Sequence, residues 1–299
     1  DSVTANVSGT SAIGLIGVGL LGSALAERLI SQGFRLKGFD IDPSKRNDFA
    51  KRGGVAVNRP EEVVQDCQIL LLSLPSSEIV RSLLTALQSE LQPGQVILDT
   101  TTGDPCEMVS IAEFLNSVGV HYMEASVAGS SVQVQNGEVT LFVGGDSQVF
   151  ENVKSILGSI TKQYYYLGPT GSASRFKLVH NLLLGLHRAV LAEGLHFAET
   201  LDFDPGEVLR ILMNTPAAST VMQTKGEQMV SRNYTPQAKL SQHLKDVRLI
   251  LTEARRHNIP TPLSQLHETL LEQAEQQGLG DQDNSAVIEV FRSQKGVTE

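Results

Sequence analysis

Cysteine is nearly absent from this chain of 299 residues, with Cys67 and Cys106 the two examples. They form no Cys-x-x-Cys pair, which argues against a disulfide framework or a structural zinc site. The seven histidines fall in no His-x-x-x-His or related ligand spacing, so no metal is expected. No apolar run approaches the ~18 residues of a membrane span. Positive charge is short as well: 24 Lys and Arg against 33 Asp and Glu leave a net charge of -9. Nucleic acid and anionic membrane are therefore not expected as general partners, whereas a small anionic metabolite stays open because a local site can be positive. There is no tandem repeat and no low-complexity tract. The polar start, residues 1–11, lacks the basic-then-apolar pattern of a signal peptide and reads as a loose leader on a cytoplasmic protein.

What is present is an ordinary globular composition, 41% hydrophobic and 19% charged, long enough for two domains. The most telling stretch is Gly14-Leu15-Ile16-Gly17-Val18-Gly19-Leu20-Leu21-Gly22, with Phe39-Asp40 following. It predicts a strand over Ala12 to Val18, a helix over Leu20 to Ser31 and a second strand over Arg35 to Asp40. Gly17 makes the tight turn, Gly19 lets backbone approach a pyrophosphate, and Gly22 lets helix pack on strand. Asp40 is placed to bond the adenosine ribose. Its carboxylate repels a 2′-phosphate, and Ile41-Asp42-Pro43 adds a second acid, so NAD is expected over NADP. Lys45 and Arg46 read as a solvated helix face.

Short apolar strands then alternate with helices. Strands are expected at Val55 to Val57, Ile69 to Ser73, Val96 to Asp99, His121 to Met123, Thr140 to Val143 and Tyr164 to Leu167. This is the pattern of a doubly wound, mostly parallel Rossmann-type α/β sheet. After Gly171 the period changes: Val179, Leu182, Leu183, Leu186, Val190, Leu191 and Leu195 recur at helical spacing over about 30 residues. No convincing strand follows. The expected organisation is thus a leader (residues 1–11), a Rossmann domain (12–167) and an all-helical domain entered through a long helix (168–299). A cleft between the domains is the default ligand site. The long apolar helix suggests a homodimer or homotetramer through the helical domain.

Hydride transfer requires a group that exchanges the hydroxyl proton. Lys177 and Asn181 lie four apart on the long helix, hence on one face, just after the flexible Gly168-Pro169-Thr170-Gly171. Spacing alone leaves Lys177 equally readable as one of many exposed lysines.

From Ile13 to Arg292 these segments resemble the 3-hydroxyacid dehydrogenase family, which includes 3-hydroxyisobutyrate dehydrogenase and tartronate semialdehyde reductase. Leu74-Pro75 matches the family's Leu-Pro pair beside the cofactor. Asp99-Thr100-Thr101-Thr102-Gly103-Asp104-Pro105 is similar to its Asp-x-Ser-Thr-x-x-Pro segment, in which Thr102 would contact cofactor. Gly168-x-x-Gly171 and Lys177-Leu178-Val179-His180-Asn181 resemble the catalytic Gly-x-x-Gly…Lys-x-x-Asn-Asn segment. Lys245-Asp246 matches a Lys-Asp pair whose lysine lies near the nicotinamide, and Asp283-Asn284-Ser285-Ala286 a late Asp-x-Ser-Ala. The resemblance implies Lys177 as general acid/base, Asn181 as the group that orients it or the reacting oxygen, and Gly17, Val18, Gly19, Leu20, Leu21, Gly22, Asp40, Leu74, Pro75, Thr102 and Lys245 as cofactor contacts.

The chain departs from the family in its substrate loop. Ala125-Ser126-Val127-Ala128-Gly129-Ser130 stands where the family has Ala-Pro-Val-Ser-Gly-Gly, whose serine and glycines hold the substrate carboxylate. Either Ser126 or Ser130 supplies the lost hydrogen bond, alongside Gly129, or backbone N–H groups still bind the carboxylate. Val132, Gln133 and Val134 replace small residues, and His180 replaces the first Asn of the Asn-Asn pair. The implied activity is an NAD-dependent dehydrogenase or reductase of a small 3-hydroxy acid or its semialdehyde. The altered loop also admits an aldonate such as threonate, or a sulfonated aldehyde. A dinucleotide-binding oligomeric scaffold without catalysis is the alternative from another class, against which the presence of Lys177 speaks.

Overall fold

The computed structural model describes residues 12–293, and the expected leader, residues 1–11, lies outside them. The chain forms two compact units, residues 1–177 and 178–299. The first alternates strand and helix: β1 (Ile13–Ile16), α1 (Leu20–Ser31), β2 (Leu36–Phe39), α2 (Pro43–Lys51), β3 (Val55–Ala56), α3 (Pro60–Asp66), β4 (Ile69–Leu72), α4 (Ser77–Ala86), β5 (Val96–Asp99), α5 (Pro105–Ser117), β6 (His121–Ala128), α6 (Ser131–Asn136), β7 (Thr140–Gly144), α7 (Ser147–Ile160) and β8 (Gln163–Tyr166). These strands make one eight-stranded sheet in the order β3-β2-β1-β4-β5-β6-β7-β8. Every pairing is parallel except β6 with β7.

Successive residues of the central strands feed different cores. Leu15, Leu71 and Leu98 pack with α1 and α7 side chains such as Leu25, Leu29 and Val153. Ile16, Leu70, Leu72 and Ile97 pack on the other face with Val80, Leu84, Ile111 and Leu115. A sheet covered on both faces needs strands apolar at consecutive positions, and Ile69-Leu70-Leu71-Leu72 satisfies this. Helix starts follow local chemistry. Asp42, Asp104 and Asp146 each accept backbone N–H groups as N-caps, and Pro43 and Pro105 occupy first-turn positions where no N–H is missed.

The long helix, α8, runs over Ser172–Thr200, and the division between the units falls within it. The second unit continues with α9 (Pro205–Leu212), α10 (Thr220–Ser231), α11 (Leu240–Arg256), α12 (Pro262–Gln276), a single 3₁₀ turn over Asn284–Val287 and α13 (Ile288–Ser293). Leu195, Met229, Leu244, Val247, Leu271 and Val287 meet in its core. No strand occurs after β8 among the described residues, in keeping with the helical spacing. No helix among the described residues is long and apolar enough to cross a membrane.

The segment read as the substrate loop is differently built. β6 continues through Ala128, and Ala125, Ser126, Val127 and Ala128 pair antiparallel with Val143, Phe142, Leu141 and Thr140. Its small residues resemble a loop, but the backbone pairing with β7 continues to Ala128, and of this segment Gly129 and Ser130 lie beyond the strand.

Candidate active site

The turn after β1 is shaped for a close-approaching ligand. Gly17 adopts φ +95°, in the left-handed region, and a Cβ there would strike the Ser73 carbonyl oxygen. A Cβ at Gly22 would strike the Gly17 carbonyl oxygen, whereas one at Gly19 would meet nothing within 4 Å. Two glycines therefore let backbone meet backbone, and the third leaves open space over the start of α1. Gly19 is the N-cap and offers no side-chain bond to the first-turn N–H groups, which suits them to a phosphate. The site lies where β1 passes between β2 and β4, the switch point of the sheet order. Residues and space both fit a dinucleotide.

Asp40 is buried at the end of β2. Its Oδ2 accepts the Val18 N–H at 2.7 Å and its Oδ1 the Asp42 N–H at 2.9 Å, so the carboxylate is fixed against the glycine turn. Arg46 differs from the solvated reading. It is half-buried, donates from Nη1 to the Asp40 carbonyl oxygen at 2.7 Å and lies 5.7 Å from the Phe39 ring centre. A cation thus stands beside Asp40. At the next strand ends, the Leu74 N–H donates to Thr101 Oγ1 at 3.1 Å, which ties the β4 and β5 loops together. Pro75 beside it is exposed, and Thr102 half-buried. Val18 is buried, while Leu20 is exposed and Leu21 half-buried on α1.

Lys177 is buried, 7% exposed, which removes the reading as a surface lysine. Its Nζ donates to the Val127 carbonyl oxygen at 2.6 Å, at the end of β6. Glu124, which the motif reading missed, anchors the same helix. Its carboxylate accepts the Gly171 N–H at 2.8 Å and the Ser174 N–H at 3.3 Å, capping the start of α8 from inside β6. Burial raises its pKa, while the Ser174 and Gly171 bonds work in the opposite direction. An acid at a buried position of β6 was its one visible signal. Beyond β6, Ser130 N-caps α6: its Oγ accepts the Gln133 N–H at 3.3 Å, and Gln133 Oε1 accepts the Ser130 N–H at 2.8 Å. The Ser130 hydroxyl keeps its proton for donation. Ser126 is buried inside β6, Ala128 is half-buried at its end, and Gly129 is exposed.

In the helical unit Asn181 is buried, with Nδ2 donating to Asp246 Oδ2 at 3.0 Å and Oδ1 lying 3.1 Å from His180 Nδ1. Lys245 Nζ lies 3.4 Å from Asp246 Oδ1. The structure therefore brings Asn181, His180, Lys245 and Asp246 together from α8 and α11. Asp246, named only as part of a Lys-Asp pair, is the group that holds Asn181 in orientation.

His267 on α12 is also buried, and burial together with the nearby Arg188 charge lowers its pKa from about 6.5 to about 4. Between those values the unfolded chain binds a proton that the folded chain refuses. Stability should therefore decline as the pH falls from about 6.5 to about 4, by up to ~3 kcal/mol. Urea midpoints measured across that window check this, and His267→Leu should flatten the slope.

Residues 12–168 match the family model described as the NAD binding domain of 6-phosphogluconate dehydrogenase. Residues 171–291 match the model described as the NAD-binding of NADP-dependent 3-hydroxyisobutyrate dehydrogenase. The chain is 29% identical over 290 residues to 2-(hydroxymethyl)glutarate dehydrogenase of Eubacterium barkeri, covering 96% of each chain. It is 26% identical over 283 residues to L-threonate dehydrogenase of Cupriavidus necator, covering 93% of this chain and 95% of that one. A 3-hydroxyisobutyrate dehydrogenase structure from Salmonella typhimurium has the same fold, with a TM-score of 0.87 at 24% identity over 94% of this chain and 100% of that one.

Proposed function

The chain belongs to the 3-hydroxyacid dehydrogenase family, and we propose that it moves a hydride between a nicotinamide dinucleotide and a small 3-hydroxy acid or its semialdehyde, with Lys177 as general acid/base. The carrying observation is the buried Lys177, its Nζ held at 2.6 Å from the Val127 carbonyl oxygen. The dinucleotide, when bound, supplies or accepts the hydride. In the oxidising direction the neutral Lys177 amine takes the hydroxyl proton as the carbon loses its hydride; in the reducing direction the ammonium gives that proton to the carbonyl oxygen. The Val127 carbonyl holds the proton-bearing form in place until the substrate oxygen takes its position. Asn181, fixed by Asp246, orients that oxygen or the lysine. Ser130 and the Gly129 backbone hold the substrate carboxylate, and Lys245 serves as a cofactor contact. Gly17, Val18, Gly19, Leu20, Leu21 and Gly22 hold the pyrophosphate, with Leu74, Pro75 and Thr102 lining the cofactor.

Within the NAD(P) class the reading is NAD, because the Asp40 carboxylate repels a 2′-phosphate. With Arg46 already beside it, Asp40→Ser should shift the NADP-to-NAD preference about tenfold or more toward NADP. Ratios of kcat/KM with each cofactor measure this, and equal use of both by the unmutated protein contradicts it. A homodimer or homotetramer is supported by Val179, Leu183, Val190 and Phe197, all exposed on α8; sedimentation at two loading concentrations tests it.

The reading is tested by following NADH production across 3-hydroxy acids, aldonates and hydroxysulfonates. It expects turnover with a 3-hydroxy acid that Lys177→Ala abolishes. Measurable NAD binding with no turnover of any compound identifies a dinucleotide-binding scaffold instead.

A further inference from the structure

On the same face of α8, seven residues beyond Asn181 and three beyond Gly185, lies Arg188. It is 3% exposed, and its Nε and Nη1 are buried with no hydrogen-bond partner. Burial lowers its pKa to about 10, with Asp283 and Asp246 acting in the opposite direction, so the guanidinium remains charged at neutral pH. A desolvated cation with unsatisfied donors destabilises a fold unless acceptors are supplied to it.

His267, Asp246 and Asp283 share its surroundings. Gly185 has no side chain where a Cβ would crowd two imidazoles, at 2.7 Å from His267 Cε1 and 2.9 Å from His243 Cε1. The two rings stand 5.2 Å apart between centres. His267 Nε2 is likewise buried without a partner, and a neutral ring there can donate a proton to an acceptor. Long helical side chains lean toward the preceding turn, and the Arg188 charge acts on His267 and is acted on by Asp246, the partner of Asn181. The rise from Asn181 to Arg188 along the helix is about 10 Å, and the length of the arginine side chain shortens that gap.

We propose that Arg188 and His267 form an anion subsite in the helical unit that receives a second carboxylate of the substrate, making a short hydroxy dicarboxylate the preferred hydroxy acid. The inference rests on the hydride-transfer reading above only in naming the ligand as substrate.

Two measurements test it. In a thermal-shift titration, glutarate should raise the melting temperature of the unmutated protein, whereas butyrate should not. Arg188→Met should abolish the glutarate shift and, without ligand, melt at or above the unmutated protein, because a buried cation with unsatisfied donors has been removed. Arg188→Lys should keep a weaker shift. In turnover, the kcat/KM ratio of 2-(hydroxymethyl)butanedioate to 3-hydroxy-2-methylpropanoate should fall about 10- to 100-fold in Arg188→Met. No glutarate shift in the unmutated protein overturns the subsite, as do equal losses on both substrates. A glutarate shift that depends on Arg188 in a protein that oxidises no hydroxy acid upholds the subsite and refutes the hydride-transfer reading.

Discussion

Lys177→Ala should lower kcat by about 10²- to 10⁴-fold, the usual contribution of a positioned acid or base, while dinucleotide affinity stays nearly unchanged. Lys177 is on α8, and the glycine turn and Asp40 hold the cofactor through groups that the substitution does not touch. Lys177→Arg should be almost as impaired, because a guanidinium keeps the charge but does not give up its proton near neutral pH. Both variants leave the Val127 carbonyl to find another donor or to accommodate a different one, so melting temperatures belong beside the rates. Fluorescence titration with NADH separates cofactor binding from turnover. A Lys177→Ala protein that kept most of its rate would transfer the proton role to another group.

The second large effect concerns Asp283, which is fully buried. Both of its oxygens lie 2.8 Å from Lys225 Nζ. Oδ2 also accepts the Gln237 and Ala238 N–H groups at 2.9 and 3.1 Å, and Oδ1 the Ser285 N–H and hydroxyl at 3.0 and 2.8 Å. One carboxylate thus gathers α10, the approach to α11 and the 3₁₀ turn. Burial pushes its pKa up, but the Lys225 charge and these bonds more than offset this and hold it below the ordinary carboxylate range. Asp283→Ala leaves a buried ammonium and several donors unanswered, and should cost about 3–5 kcal/mol of stability. Lys225→Met should cost less, since the carboxylate keeps its backbone donors. Urea unfolding of the three proteins, followed by helical circular dichroism, measures the order. Equal stability of Asp283→Ala and the unmutated protein would reduce this cluster to a surface-like pair.

The late Asp-x-Ser-Ala segment is therefore an architectural device of the helical unit. Its spacing was visible in the sequence, but its partner Lys225 lies 58 residues away and nothing local announced it. The same division holds elsewhere. The glycine turn, α1 and Asp40 were legible because all their constraints fall within one strand-turn-helix-strand unit, and α1 spans Leu20–Ser31 as the periodicity predicts. The substrate segment was harder to read. Its small residues resemble a loop, yet antiparallel pairing with β7 carries the strand to Ala128, and Glu124 just before it caps α8. Arg46 read as solvent-facing because α2 is polar throughout, and only the fold turns it back onto the Asp40 carbonyl. Arg188 carried no local signal, and its burial comes from the fold alone.

Label transfer follows the hydride itself. A 3-hydroxy acid carrying deuterium on its carbinol carbon is incubated with the protein and NAD, and the reduced cofactor is analysed by mass. Deuterium should appear in the nicotinamide ring, formed by the unmutated protein and at least about 100-fold more slowly by Lys177→Ala. A protein that binds NAD and moves no label from any hydroxy acid of the panel would contradict it.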